Sequence, residues 1–329
     1  MFLTPTVAQH PAGTLINIAL NTLLKNSQLD VYVTGSNARF LSKDVVTTFR
    51  GRGDEVRVHP LSFAEYLSVQ QPLPFAEQHL NEYMRLGGLP QLVVMNSEQQ
   101  KRQYLSQLFA NTYLVDIKER YAIRNDADLE ELIDVIASSI GSLTNPTKIA
   151  NSFASVKQSQ LSKDTIKRYL DYMQDAFMIE KAVRYDIKGR KYIDTPAKYY
   201  FEDLGLRNAR INFRQTEPTH LMENLIYNEL RVKGYSIDVG QVVANTRNAN
   251  GVSERKQLEV DFVCNKADER IYIQSAYAMP TPEKQDQELK SLKLINDSFQ
   301  KVVIAGGMQP TYRNNDGILI LNIYDFLLN

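Results

Sequence analysis

The last third of the sequence most constrains the fold, because helical and strand patterns alternate there in a definite order. Residues 221–232 repeat apolar positions at helical spacing, and residues 283–299 do so again. The predicted strands are 235–239, 258–264, 271–277, 301–305 and 318–320, with a polar loop at 245–257 and a last helical turn at 324–328. A helix, three strands, a helix and a strand predict an α/β domain, which we place at residues 216–329.

This order of elements is found in restriction-endonuclease-like folds, whose chemistry needs acidic side chains in particular places. Such nucleases use an acid on the first helix, an aspartate on the second strand, and an acid-x-lysine on the third to bind Mg²⁺ and activate water. The chain has Glu223 and Asp261 in the first two places, and Glu259 lies two residues earlier on the same strand face as Asp261. Glu223 and Asp261 are thus weak candidate ligands for Mg²⁺. Ordinary helix-surface charge is the alternative for Glu223 and for Glu229.

The third strand departs from the nuclease pattern, since it reads Gln274-Ser275-Ala276. The amide of Gln274 lacks the charge of a carboxylate, and alanine cannot polarise water. The nearest downstream lysine, Lys284, lies at the start of the next helix. We therefore predict a nuclease-like scaffold with a degraded site, and an active Mg²⁺-dependent DNA nuclease is the alternative.

A second module precedes this domain and is predicted at residues 146–215. Two helical patterns at 146–154 and 162–177 are followed by two β-prone runs at 178–186 and 192–202, which is the order of a winged helix-turn-helix. Between Lys157 and Lys198 there are ten Lys or Arg and six Asp or Glu. The candidate DNA-binding residues are Lys163, Lys167 and Arg168 on the second helix and Lys188, Arg190 and Lys191 at the hairpin tip. A winged helix used only for packing is the alternative.

The N-terminal region contains a strand, a polar turn and a helix in close succession. Residues 31–33 are β-prone, Thr34-Gly35-Ser36-Asn37 stops the run, and a helical pattern covers 39–49. Ligands of open α/β sheets bind beyond the carboxyl ends of the strands, which places Thr34, Ser36 and Asn37 where a phosphate or its attacking water would lie. Capping of the helix by Ser36 or Asn37 is the competing explanation. A further strand is predicted at 55–59.

The residues around this turn also carry a family resemblance. The segments VYVTGSNARFLS, FRGRG and VHPLSFAEYL, all between Val31 and Leu67, resemble the second half of the core in a prokaryotic group of AAA+-type ATPases that continue into a C-terminal domain of unknown function. Six later segments extend the resemblance in order: GGLPQ at 87–91, VDIKERY at 115–121, RYDIKGRK at 184–191, YFEDLGLRN at 200–208, MENLIYNEL at 222–230 and IYIQ at 271–274. The resemblance implies that Asn37 is the sensor residue for the hydrolytic water and that Arg50 or Arg52 is an arginine finger. A solvated turn arginine is the alternative for both. The family resemblance also implies that residues 1–62 are a partial ATPase core. Residues 63–145, whose pattern is almost wholly helical, resemble the helical lid that follows such a core.

The motifs with which such an ATPase binds the nucleotide and Mg²⁺ are absent from the sequence. A P-loop places a glycine immediately before its lysine, and none of the 15 glycines is followed by lysine. Residues 1–29 contain no Asp or Glu that could hold Mg²⁺. We therefore expect either an N-terminally truncated product of a longer gene or a remnant that has lost nucleotide chemistry, and in both cases no ATPase activity of its own.

Composition limits the partners and the chemistry. Lys plus Arg and Asp plus Glu both total 38, so attraction to nucleic acid must come from a local patch. Cys264 is the only cysteine and there are four histidines, which argues against a disulfide framework or a zinc site. The sequence has no membrane-length apolar run and no signal peptide pattern, so the cytoplasm is the expected location. We predict a protein whose role is nucleic-acid binding rather than catalysis, with homo-oligomerisation as an option and a protein-interaction adaptor as a further alternative.

Overall fold

The computed structural model describes residues 22–32, 54, 56–70, 76–123, 126–157, 161–214, 217–247 and 253–329. These belong to two compact units, one formed by Met1–Val58 with Asp175–Phe177 and the other by His59–Gln174 with Met178–Asn329. The predicted mixed α/β class is confirmed. Within these ranges no helix is long and apolar enough to cross a bilayer.

The two strands predicted near the N-terminus are wrong where the structure describes them. Val31 and Tyr32 form no strand, and neither do residues 56–59. The side chains of Tyr32, Val56 and Val58 are exposed. A strand requires a neighbouring strand to pair with its backbone, and an alternating sequence does not by itself supply one. The predicted turn at Thr34–Asn37 and helix at 39–49 lie outside the described residues.

The region from residue 63 to residue 138 is helical, as the sequence predicts. Its helices are α1 (Phe63–Ser68), α2 (Ala76–Leu86), α3 (Pro90–Val93), α4 (Glu98–Leu108), a π-helical turn (Phe109–Leu114), α5 (Val115–Arg120) and α6 (Asp126–Ser138). Helix α1 begins at a capping box, in which the Ser62 hydroxyl accepts from the Glu65 N–H and the Glu65 carboxylate accepts from the Ser62 N–H. Leu105, Ile117 and Leu129 are fully buried, which gives this region an apolar core.

Two helices and a hairpin follow in the predicted order. They are α7 (Pro146–Lys157), α8 (Lys163–Asp175), β1 (Ile179–Asp186) and β2 (Lys191–Phe201). Helix α8 begins after Ser162, whose hydroxyl accepts from the Thr165 N–H at 3.1 Å. It buries Ile166 and Leu170, among others, and leaves Lys163 and Lys167 exposed.

The remaining elements are α9 (Leu204–Arg210), α10 (Pro218–Val232), β3 (Ser236–Arg247), β4 (Ser253–Lys266), β5 (Glu269–Ala276), α11 (Pro282–Lys293), β6 (Gln300–Ala305), β7 (Tyr312–Arg313), β8 (Leu319–Asn322) and α12 (Ile323–Leu328). The predicted order of a helix, three strands, a helix and a strand is therefore present as α10, β3, β4, β5, α11 and β6. Strands β3, β4 and β5 pair antiparallel, and β6 pairs parallel to β5.

One mixed sheet of eight strands contains both the hairpin and the later strands. Its order is β2-β1-β3-β4-β5-β6-β8-β7. Strand β1 pairs parallel to β3, with Arg184 opposite Val239. The sheet thus continues across residue 215, where the sequence analysis separates two modules, and it brings β2 within reach of the helix and strands of the C-terminal region.

Two predicted segments differ from the structure. Most of the predicted loop at 245–257 is strand, because β3 and β4 continue pairing to Arg247 and Ser253. The backbone ladder forms there although the side chains are polar, since antiparallel pairing depends on main-chain groups. Helix α11 ends at Lys293, before the predicted residue 299, and the Asp297 carboxylate accepts from the Phe299 N–H in a local turn.

Candidate functional site

Four charged side chains meet between the sheet and helix α10. The Lys198 Nζ lies 2.8 Å from Glu223 Oε1, 2.6 Å from Glu259 Oε1 and 3.5 Å from Asp261 Oδ1. The side chain of Lys198 is 2% exposed and that of Glu259 is 34% exposed, so the site opens to solvent on the Glu259 side. We call these four residues the Lys198 cluster. Three of them were predicted from the sequence, and Lys198 was not.

The four members of the cluster come from three different elements of the fold. Lys198 lies in β2, Glu223 in the second turn of α10, and Glu259 and Asp261 in β4. In β4 the pairing of Asp238 with Val263 and of Gly240 with Val260 leaves two residues opposite one, which is a β-bulge. Bulges redirect side chains. Asp261 lies in this bulge and reaches the ammonium of Lys198.

Neighbouring polar groups hold the carboxylates in place. The Tyr200 hydroxyl donates to Glu223 Oε1 at 2.7 Å. Asp261 Oδ2 accepts from Gln274 Nε2 at 2.7 Å and from the Ser275 N–H at 2.8 Å. Gln274 therefore contacts the cluster, as its position on the third strand predicted, but it contributes a hydrogen bond in place of a charge.

The ionisation of the cluster follows from burial and mutual attraction. Burial opposes the charged form of Lys198, yet attraction to Glu223, Asp261 and Glu259 outweighs it, so the pKa of Lys198 lies above its ordinary value. Burial raises the pKa of Glu223 to about 7, with the charge on Asp261 adding to the rise and that on Lys198 opposing it. Burial likewise raises the pKa of Glu259.

The arrangement places an ammonium where the nuclease pattern would place a metal ion. Three carboxylates that converge on one point repel each other unless a cation or proton neutralises them. Lys198 supplies that cation from the chain itself. Among the described residues no group of three or more His, Cys, Asp or Glu side chains is arranged to hold a metal ion. A protonated lysine also cannot accept a proton from water, so in this state Lys198 does not act as a general base.

Lys198 was not predicted as a member of the site, because the nuclease pattern places its lysine on the third strand or on the helix after it. Lys284, on that helix, pairs with Glu288 at 2.5 Å. The available signal was the position of Lys198 between Ala197 and Tyr199 in an otherwise apolar strand end. A lysine in a buried run of this kind is rarely found without a charged partner.

A glycine segment packs against the cluster. Gly141 has φ +69°, and a Cβ added there would lie 3.1 Å from both carboxylate oxygens of Glu223. Thr144, in the same segment, pairs with Ala197 through two backbone hydrogen bonds of 2.9 Å. Residues 141–144 therefore lie against Glu223 and against the strand that carries Lys198.

Two of the motifs that carry the family resemblance, at residues 87–91 and 200–208, contribute buried hydrogen bonds between helices. Asp203 caps α9 by accepting from the Leu206 N–H at 2.9 Å, and its other oxygen accepts from the Gly88 N–H at 2.8 Å. Burial raises the pKa of Asp203 to about 6, with these backbone donors opposing the rise. Asn208 Nδ2 donates to the carbonyls of Met84 and Arg85, at 3.0 and 2.9 Å. These residues therefore maintain the packing of the helices.

The motif in helix α10, at residues 222–230, also contributes buried hydrogen bonds to neighbouring elements. Asn224 donates to the Phe201 carbonyl and accepts from the Phe201 N–H, both at 2.8 Å, which completes the hydrogen bonding of the end of β2. Glu229 is buried, and its carboxylate accepts from the Phe63 N–H at 2.6 Å. The alternative of ordinary surface charge is therefore wrong for Glu223 and Glu229, since both are buried and partnered.

The six predicted DNA-binding residues are all exposed. Lys163, Lys167 and Arg168 lie on α8, while Lys188, Arg190 and Lys191 lie at the turn and start of β2. None forms an ion pair with a described carboxylate, and Arg168 donates to the Thr165 hydroxyl at 3.3 Å. The side chains of Lys163 and Lys167 line a groove of about 330 Å³, whereas Lys188 and Arg190 line a different cavity of about 620 Å³. The ATPase-like candidates Asn37, Arg50 and Arg52 lie outside the described residues.

Comparison with known proteins relates the chain to two family models. Residues 14–67 match an AAA domain, and residues 77–217 match a domain of unknown function, DUF8612. The AAA match supports the resemblance drawn from the motifs at the level of an ATPase-like family. The crystal structure of protein VC1899 from Vibrio cholerae is 14% identical in sequence to this chain, with a TM-score of 0.25, and the match covers 84% of this chain and 62% of that protein.

Two uncharacterized proteins are similar over most of the chain. One from Methanocaldococcus jannaschii is 27% identical, over 85% of this chain and 66% of its own length. One from Haemophilus influenzae is 34% identical over 312 residues, which cover 94% of this chain and 73% of that protein. The chain belongs to the same family as this uncharacterized Haemophilus influenzae protein.

Proposed function

We propose that this chain is a nucleic-acid-binding protein of an ATPase-like family and that it has no ATPase activity of its own. The observation that carries the proposal is the exposed set of cations on α8 and the hairpin tip, none of which pairs with a described carboxylate. Unpaired lysine and arginine side chains release counterions when they contact phosphates, which favours binding to nucleic acid. Helix, helix and hairpin is also the order of a winged helix, whose second helix and wing contact DNA.

The chemistry of the Lys198 cluster supports binding over catalysis. Its three carboxylates are already paired with the ammonium of Lys198, which has a raised pKa. Glu223 and Asp261 are nearly inaccessible, with side chains 9% and 8% exposed. A phosphodiester would have to displace Lys198 or the segment around Gly141 before it could reach both.

Binding is tested with a fluorescently labelled DNA duplex and a salt titration. The double variant K163Q/K167Q should bind more weakly to all sequences and should reduce the slope of log K against log salt by about two units, because each lysine neutralises one phosphate. The control is K256Q/K290Q, which removes two exposed lysines outside α8 and the hairpin. Equal affinity for K163Q/K167Q and the parent would refute the proposed surface.

A Mg²⁺-dependent nuclease is the second candidate, because Lys198 provides a lysine that the third strand lacks. The acids expected for that chemistry, Glu223 and Asp261, do meet this lysine. The test is cleavage of plasmid and branched DNA with Mn²⁺. We expect no cleavage by the parent; cleavage that is lost in D261N and in K198M would establish the nuclease.

A further inference from the structure

A cavity of about 620 Å³ lies beside the turn of the β1–β2 hairpin. The hairpin turn, the β4–β5 turn and the segment after α11 line it, and no member of the Lys198 cluster does. Its volume is within the roughly 300–1,000 Å³ of typical small-molecule sites. The polar groups around it indicate which ligand it fits.

Three cations line this cavity: Lys188, Arg190 and Arg270. None of the three forms an ion pair with a described carboxylate. Arg270 is half-buried, and its Nε donates to Asn265 Oδ1 at 2.7 Å, which fixes the plane of the guanidinium group. The side chains of Tyr185 and Tyr272 also hydrogen-bond with Arg270. A guanidinium that is held in this way and forms no ion pair with a carboxylate can donate its remaining N–H groups to a phosphate.

Aromatic rings surround the same arginine. The guanidinium carbon of Arg270 lies 5.3 Å from the ring centroid of Tyr185 and 5.5 Å from that of Phe299. Phe299 is 41% exposed, and the edge of Tyr272 supports it at a centroid distance of 6.4 Å. An aromatic ring that is held in place but partly open to solvent can stack on a nucleic-acid base.

Three carboxylates also line the cavity, and two of them have internal partners. Glu269 accepts from the Tyr235 hydroxyl at 2.9 Å. Asp297 accepts from the Tyr272 hydroxyl at 2.7 Å and lies 3.5 Å from the Lys301 ammonium. Asp268 has no such partner among the described residues. The groups left to contact a ligand are therefore mainly cationic and aromatic.

We propose that this cavity binds a nucleotide, with its phosphate against Lys188, Arg190 and Arg270 and its base against Phe299. The nucleotide comes either from a free nucleoside monophosphate or from one unit of single-stranded nucleic acid. Only binding of single-stranded nucleic acid rests on the proposed function. In that case the cavity would bind an unpaired end or loop of the nucleic acid that α8 and the hairpin tip contact.

The test measures binding of adenosine 5′-monophosphate and inorganic phosphate by calorimetry, and of a labelled single strand of about ten nucleotides by fluorescence anisotropy. The variants are R270Q and K188Q/R190Q, with K290Q as the control, because Lys290 is exposed and does not line the cavity. The double variant changes only exposed side chains, so it decides the question if R270Q unfolds.

We expect R270Q and K188Q/R190Q to weaken binding by about tenfold, the loss of one or two charge-assisted hydrogen bonds, and K290Q to bind as the parent does. Binding of adenosine monophosphate identifies a free nucleotide, whereas binding of the single strand alone identifies a unit of nucleic acid. The proposal is overturned if neither probe binds, if the folded cavity variants bind as the parent does, or if phosphate binds as tightly as adenosine monophosphate. The duplex assay with K163Q/K167Q tests the proposed function separately. A failure of duplex binding can therefore be told apart from a failure of nucleotide binding in this cavity.

Discussion

Replacement of Lys198 by methionine removes the cation from a buried group of acids and should destabilise the protein strongly. Lys198 contacts Glu223, Glu259 and Asp261 at 2.8, 2.6 and 3.5 Å, and its side chain is 2% exposed. Breaking a buried ion pair by removing one partner costs about 3–5 kcal/mol, because the remaining charges have no compensating partner. We expect K198M to be less stable by this amount at pH 7.5.

The destabilisation should depend on pH in a defined direction. Glu223 has a folded-state pKa of about 7, above its ordinary 4.5. Its contribution to the stability of the folded protein is therefore fully present below pH 4.5 and is lost as the pH rises through 7. Without Lys198 the folded-state pKa of Glu223 and Glu259 should rise further, because the attraction that opposes burial is gone. K198M should therefore be closer to the parent in stability at pH 5.5 than at pH 7.5.

The assay is urea unfolding followed by circular dichroism at both pH values. The matched control is K118M, since Lys118 also pairs with two carboxylates, Asp126 at 3.1 Å and Glu130 at 2.8 Å. Those carboxylates are 54% and 37% exposed, so this replacement should cost only about 0–1 kcal/mol. A destabilisation below about 1 kcal/mol for K198M at pH 7.5, or an equal destabilisation at both pH values, would refute the assignment of Lys198 as the neutralising cation.

Three other predictions concern the glycine beside the Lys198 cluster, metal binding at the cluster and nucleotide binding by the chain. Gly141→Ala should lower stability by about 1–3 kcal/mol in thermal unfolding, since φ is +69° there and the new methyl group would crowd the Glu223 carboxylate; an unchanged midpoint would contradict this. Millimolar Mn²⁺ should leave the melting temperature of the parent unchanged but raise that of K198M, because three carboxylates then lack their cation; stabilisation of the parent would mean that metal displaces Lys198. Mg-ATP should give no binding in calorimetry because the sequence has no P-loop, and turnover that disappears in Asn37→Ala would disprove this.

Local patterns determined the order of the elements in this chain. The helical spacing of apolar residues predicted α8, α10 and α11, and the β-prone runs predicted β1 to β6, because burial of one face imposes that spacing on each element separately. The positions of Glu223, Glu259 and Asp261 also followed from this order. Their role as members of one site was predicted, and the structure brings the three together around Lys198.

Only the tertiary structure determined what those acids contact. Lys198 reaches them because β1 pairs with β3 and so places the hairpin in the same sheet, and strand pairing between distant segments leaves no local pattern in the sequence. The bulge at Asp261 arises from the register between β3 and β4, and the neighbouring strand defines that register. Asp203 likewise accepts from Gly88, 115 residues away, so its role depends on the packing of helices that are far apart along the chain. The spacing of apolar residues determines which side of an element is buried, whereas the partner on that side depends on how the elements pack.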